Sequence, residues 1–286
     1  ITWSGQEDIH SLEVRHHNND SAYIRESNVR FRQRIEETRA AGFKVFVKPH
    51  LWITISDDGG WRSDVFPKSD SGWISWQASY RDYIFRYARI AEEAGAEQFC
   101  IGAELTRLTL EKPEFWVELI RDVRKIYSGK LTYAANWYQE YEGISFWDQL
   151  DYIGVQAYFP LSKTKQPSVE QINAGWQDYL PQLAAVAERY NRPLLFTEMG
   201  YKSTPNGTVT PWEWAENLPE AEQIYSPETQ ANAYQAFFES VWPQNWFAGV
   251  QLWVLFADYP EERKNLEFSF SPQGKVGMEV LREGFE

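Results

Sequence analysis

Glu104 and Glu198 stand 94 positions apart in the chain, each at the end of an apolar run: QFCIGAEL (98–105) and PLLFTEMGY (193–201). Runs of this kind, bounded by turn signals, read as strands buried on both faces, as in a parallel sheet. A carboxylate at the end of such a strand is costly to bury and is usually retained for a task. Two carboxylates across a cleft can hydrolyse a glycosidic bond. One protonates the leaving oxygen, and the other attacks the anomeric carbon or activates a water to do so. Each glutamate alone could equally be a structural ion-pair partner; the pair, with aromatic residues around both, favours the chemical role.

The elements that must position them follow from periodicity. Asp20 or Ser21 can cap a helix that runs to about Ala41 and stops at Gly42. A strand is expected over Lys44–Ile53, with Phe46, Lys48 and His50 on one side and regular pairing ending at Pro49. A loop over 54–71, carrying Asp57, Asp58 and several aromatics, is long enough to help build a cleft. Further helices are expected over 73–94, 113–127, 168–190 (kinked or split at Pro181), 227–242 and 275–286. Strands fall between them at 98–105, 130–137, 151–159, 193–201 and 249–258, with Trp253 mid-to-late in the last. Alternation sets Cys100, Gly102 and Glu104 on one side of their strand, Leu194, Phe196 and Glu198 on one side of theirs, and Gln156 with Tyr158.

Strand and helix alternate throughout, so the fold class is α/β, an open doubly wound sheet or a closed barrel. No strand is followed by a Gly-rich phosphate turn, which removes support for a nucleotide-binding sheet. Polar and aromatic residues recur at the carboxyl ends of the strands instead. That recurrence fits a (β/α)8 TIM barrel, a single catalytic domain over residues 1–286. In such a barrel the two glutamates face each other across the mouth. Six strands are legible, and the expectation is that the first two of eight are missing from the N-terminal side, where residues 1–18 read as polar loop.

Composition narrows the function. A net charge of −13 argues against nucleic acid and anionic membrane partners, and no apolar run is long enough to span a bilayer. Aromatic residues make up 16% of the chain, including 14 Trp. Flat apolar faces beside hydrogen-bonding groups suit sugar rings. His10, His16 and His17 lack the helical spacing and nearby acidic ligands of a metal site, so a solvated loop is the better reading. The lone Cys100 reads as a small core residue and leaves the redox compartment open. Compartment, oligomeric state, the glycan, and endo or exo action are not legible; Ile1 is compatible with a trimmed leader.

The motifs KVFVKPH, FCIGAEL, GKLTYAANW, LDYIGVQAYFPL and RPLLFTEMGYKS, with the Trp253 strand, resemble in this order glycoside hydrolase family 113, a β-1,4-mannanase family of the retaining (β/α)8 clan. The resemblance implies Glu104 as acid/base, Glu198 as nucleophile and Tyr158 as the hydroxyl that orients the nucleophile. It implies Trp253 as a platform under the sugar at the cleavage point and Asn136, Trp137 and His50 as cleft residues. Lys48 and Gln156 complete the candidate substrate-binding set. The chain departs from the wider clan at Ala103, where most members carry an Asn that binds the sugar 2-hydroxyl. The axial 2-hydroxyl of mannose fits a changed contact there. The implied reaction is double displacement on β-1,4-mannosidic linkages, with carboxyls about 5–5.5 Å apart and no metal or organic cofactor. The alternatives are another β-linked glycan, or an inactive carbohydrate-binding barrel.

Overall fold

The structure, a computed structural model, describes residues 2–6, 9–15, 18, 20–53, 60–256 and 266–286, with the backbone alone for 2–6. Two compact units make up the chain, Ile1–Gly154 and Val155–Glu286.

The first unit opens with β1 (Thr2–Gln6), a strand where the sequence suggested polar loop. It pairs in parallel with β3 (Pro49–Ile53). Polar residues are tolerated there because backbone hydrogen bonds, which any sequence can make, define the strand. Between them lies α1 (Ser21–Ala40), whose N-cap Asp20 accepts a hydrogen bond from Tyr23 N–H. The single strand expected over 44–53 is two: β2 (Phe46–Val47) pairs with β4 (Gln98–Ala103), and β3 pairs elsewhere. Pro49 therefore opens β3 rather than ending the pairing; proline has no N–H to donate and is accepted at a strand's first residue.

Helix α2 (Asp70–Glu93) is capped by Ser69, whose hydroxyl accepts from Gly72 N–H. Its buried face carries Trp76 and Tyr80, which meet Phe115 and Trp116 of α4 (Pro113–Val123), and Tyr83, which packs edge-on against Tyr80. Much of the aromatic bias is spent here as core: Trp76, Trp116, Trp147 and Trp176 are all fully buried. A short helix, α3 (Thr106–Glu111), follows β4 directly and was not foreseen. Then come β5 (Lys130–Asn136), parallel to β4, and β6 (Ile153–Gln156), which runs across the division.

In the second unit the helix expected over 168–190 is two, α5 (Val169–Trp176) and α6 (Leu180–Tyr190), with Pro181 in the first turn of the second. Ser168 and Gln171 form a reciprocal capping box on α5. β7 (Leu194–Met199) is buried at every residue. After α7 (Pro227–Ser240), β8 (Phe247–Leu252) pairs in parallel with β7, and α8 (Val276–Phe285) closes the unit. β8 lies earlier than expected, so Trp253 follows the strand instead of sitting within it. Asp258, the expected strand end, lies outside the described residues.

Candidate active site

Each glutamate is built into its own unit. In the first, Glu104 follows β4 and takes a left-handed backbone conformation, φ 55°. Non-glycine residues there cost of order 1–3 kcal/mol unless their surroundings hold them. Two flanking hydrogen bonds do so: Glu104 N–H donates to Ala134 O at 2.9 Å, and Leu105 N–H donates to the Tyr133 hydroxyl at 2.6 Å. The period-2 expectation does not survive up to Glu104. The register between β4 and β5 shifts between Cys100 and Ala103. Cys100 and Ala103 share a cluster with Ala134, whereas a Cβ on Gly102 would lie 2.6 Å from Tyr80 Oη of α2. Such irregularities re-aim side chains at strand ends.

The carboxylate of Glu104 is buried, and its Oε2 accepts from Arg62 Nε at 2.6 Å. Arg62 begins a turn at 62–64, and its Nη1 also donates to Leu51 O at 3.3 Å and meets His50 Nδ1 at 3.3 Å. A guanidinium cannot accept, so Nδ1 is the acceptor. His50 is thus tied to the acid/base candidate through Arg62. The sequence reading missed Arg62; its one local signal was an arginine beside Trp61, over whose ring the guanidinium lies at 4.6 Å. Asp57 and Asp58 of the same loop lie outside the described residues. Lys48, between β2 and β3, is buried.

Asn136 ends β5, half-buried, with its Nδ2 donating to Thr106 Oγ1 at 3.0 Å; Trp137 beside it is also half-buried. Four residues on, Glu140 is fully buried. Burial pushes its carboxyl up to about 7, against hydrogen bonds from Asn136 N–H, Tyr133, Thr109 and Thr106. Sequence reasoning missed this residue too.

In the second unit, Glu198 lies within β7 and is buried. Its Oε2 accepts from the Tyr158 hydroxyl at 2.8 Å, and its backbone carbonyl accepts from Ala157 N–H at 2.7 Å. The segment 157–158 therefore grips Glu198 by side chain and main chain together. Gln156 is turned to the neighbouring residue, its Oε1 accepting from Thr197 Oγ1 at 3.1 Å. The alternation that grouped Phe196 with Glu198 is broken here as well. Phe196 packs on Trp176 of α5 and Phe237 of α7, and the register with β8 shifts between Phe196 and Met199.

Trp253 is half-buried, and its N–H donates to Met199 O at 2.8 Å. A Cβ on Gly200 would lie 2.1 Å from the Trp253 carbonyl oxygen, so only glycine permits this approach. Trp214 meets Trp253 edge-on at 6.2 Å and Phe270 at 5.4 Å, and Phe270 meets Tyr158 at 6.2 Å. These rings make one aromatic arc from Tyr158 to Trp253.

Cys100 is buried, its thiol donating to Gly102 O at 3.0 Å, and His10 Nδ1 is 3.0 Å from Phe66 O; His16 and His17 lie outside the described residues. Among the described residues no group of three or more His, Cys, Asp or Glu could hold a metal, and no helix is long and apolar enough to cross a membrane.

None of the curated proteins matches this sequence. Among solved structures, a GH113 β-1,4-mannanase complex is 27% identical, with TM-score 0.82 over 99% of this chain and 85% of that one. The GH113 β-mannanase AaManA from Alicyclobacillus acidocaldarius is 28% identical, with TM-score 0.80 over 99% of this chain and 84% of that one. A β-glucuronidase from Ruminococcus gnavus, at 15% identity and TM-score 0.60 over 88% of this chain and 41% of that one, shares the fold alone. The fold class is accordingly the (β/α)8 barrel expected from the sequence. The family model of Glycoside Hydrolase Family 113 matches residues 1–275. A strand-end glutamate gripped by a tyrosine, a second one held beside a buried arginine, and a match over nearly the whole chain lead to one conclusion: the chain belongs to glycoside hydrolase family 113.

Proposed function

We propose that residues 1–286 form one catalytic domain that hydrolyses β-1,4-mannosidic linkages in mannan or manno-oligosaccharides by double displacement. The observation that carries this reading is the 2.8 Å hydrogen bond from Tyr158 to the buried Glu198, in a chain of this family. Solved relatives described as a β-1,4-mannanase and a β-mannanase support the choice of substrate.

Glu198 acts as the nucleophile. The Tyr158 hydroxyl, donating to Oε2, fixes the carboxylate's rotation, and a charge-assisted bond of this kind is stronger than a neutral one. Glu104 gives its proton to the leaving oxygen as the bond to the anomeric carbon breaks. A covalent glycosyl–Glu198 ester results. Glu104, now ionised, takes a proton from water as that water attacks the anomeric carbon and releases Glu198. Arg62 lies where it complements the charge Glu104 carries between the two steps. Trp253, half-buried at the end of β8, offers a ring face for the sugar at the cleavage point. His50, Asn136, Trp137, Lys48 and Gln156 are proposed to line the cleft.

The test is hydrolysis of a panel of β-linked oligosaccharides, manno-oligosaccharides included, by wild type and Glu198→Gln, with the product anomer followed by NMR. Wild type is expected to release the β-anomer from manno-oligosaccharides, and Glu198→Gln to release none. First release of the α-anomer would overturn double displacement. Turnover of another β-glycan in preference to mannosides would overturn the substrate assignment, and inertness on every glycan would leave sugar binding without cleavage.

A further inference from the structure

We infer that Glu140 is the positioning residue of the acid/base: through Tyr133 it fixes the backbone on which Glu104 is presented. The inference deepens the proposed reaction and rests on it for Glu104's role.

The geometry forms a closed chain of contacts. Oε1 of Glu140 accepts from the Tyr133 hydroxyl at 2.7 Å and from Thr109 Oγ1 at 2.9 Å. Oε2 accepts from Asn136 N–H at 2.7 Å and from Thr106 Oγ1 at 3.1 Å. The Tyr133 oxygen in turn accepts from Leu105 N–H at 2.6 Å. That direction is forced: an amide can only donate, so the tyrosine proton is free to point at Glu140. Thr106 Oγ1 likewise accepts from Asn136 Nδ2 and donates its own O–H to Glu140 Oε2. One carboxylate therefore joins the end of β5 to the first turn of α3, the two segments that bracket Glu104.

Its cost shows that it has a purpose. Glu140 and Tyr133 are fully buried. A buried carboxylate is tolerated only when its lone pairs are filled, and a partly satisfied network is worse than an apolar one. Capping a short helix or closing a five-residue turn does not require it, since a serine or backbone carbonyl would serve. What does require a rigid frame is the residue between the bracketed segments: Glu104 at φ 55°, a conformation that a glutamate leaves readily if its neighbours relax. Gly102 makes room for the relay, since a Cβ there would lie 2.9 Å from the Tyr133 ring. General-acid catalysis depends on placement: a misplacement of about 1 Å can cost on the order of 100-fold.

Glu140→Gln and Tyr133→Phe test this. Glutamine places an N–H group against donors, and phenylalanine removes only the oxygen that receives Leu105. Acid assistance matters for a poor leaving group and hardly at all for a very good one. So kcat/KM, which reports the first chemical step, is measured on manno-oligosaccharide and on 2,4-dinitrophenyl β-mannoside. Both variants are expected to lose about 10–100-fold on the oligosaccharide and less than about 3-fold on the dinitrophenyl glycoside, within the range that general-acid catalysis supplies. Equal losses on the two substrates, or no loss on either, would overturn the inference. A crystal structure of Tyr133→Phe reads the same point without turnover: Glu104 is expected to leave its left-handed conformation. Glu104 unmoved there would overturn the positioning role. A wild type inert on mannosides defeats the proposed substrate, while Glu104's backbone still decides the inference.

Discussion

Arg62 donates from Nε to Glu104 Oε2 at 2.6 Å, and both side chains are buried. The same guanidinium reaches Leu51 O and His50 Nδ1, so it ties Glu104 to β3. Removing one partner of a buried pair leaves the other charged and uncompensated, at a cost of about 3–5 kcal/mol. Arg62→Ala is therefore expected to melt well below wild type. Arg62→Lys keeps the charge but loses the planar fork. It is expected to fold and to lose about tenfold or more in kcat/KM on oligosaccharides; wild-type kinetics for Arg62→Lys would show that charge alone suffices.

Tyr158 donates one directed hydrogen bond to Glu198, the proposed nucleophile. Removing one preorganised donor at a reacting charge typically costs about 10²–10³-fold. Tyr158→Phe should lose activity on that scale in kcat, with KM changed far less, because the ring and its edge contact with Phe270 remain. Steady-state kinetics decide this; a loss confined to KM would place the hydroxyl on the substrate instead.

Gly200 lies where a methyl group would meet the Trp253 carbonyl oxygen at 2.1 Å. The obstacle is backbone, so no side chain can rotate away. Gly200→Ala is expected to cost about 1–3 kcal/mol or more, the range for forced overpacking. It should also displace Trp253 from its bond to Met199. Thermal melts and weakened binding of a substrate-length oligosaccharide by Glu198→Gln/Gly200→Ala, relative to Glu198→Gln, are the checks.

Lys275 has its amine buried against Ser203 Oγ at 2.6 Å and Ser269 O at 3.0 Å, and burial lowers it to about 7. The unfolded chain then binds more protons than the native one between about pH 7 and the ordinary lysine range near 10.5. Stability from this group rises with pH across that window and is lost as pH falls to 7. Glu140 has the opposite sign. Burial raises it to about 7, so the native state binds the extra proton between about 4.5 and 7, and stability falls as pH rises through that window. Urea unfolding of wild type, Lys275→Met and Glu140→Gln from pH 5 to 10 checks both signs. Lys275→Met should flatten the alkaline rise, and Glu140→Gln the acid-side fall.

Much of this protein was legible before its structure. Apolar runs ending in Glu104 and Glu198, the cap at Asp20, the break at Pro181 and the strand–helix alternation are all local patterns. Local patterns follow from backbone sterics and the burial of one face, which neighbouring residues decide among themselves. The order of the motifs carried the family as well, and with it Tyr158 as the partner of Glu198.

Tertiary structure decided what depends on residues far apart in sequence. Arg62 and Glu104 are 42 positions apart, and nothing near Arg62 says which carboxylate it will meet. Glu140 reads as one of two acids in WYQEYEG until Thr106, Thr109 and Tyr133 converge on it. Counting in twos is undone before Glu104 and across Glu198 because each strand shifts register there, and register is a property of two strands, not one. β1 was hidden for the same reason: its polar residues carry no alternation, and only pairing with β3 makes it a strand. Side-chain type and local period are written along the chain, whereas the meeting of distant polar groups is settled by the fold that buries them together.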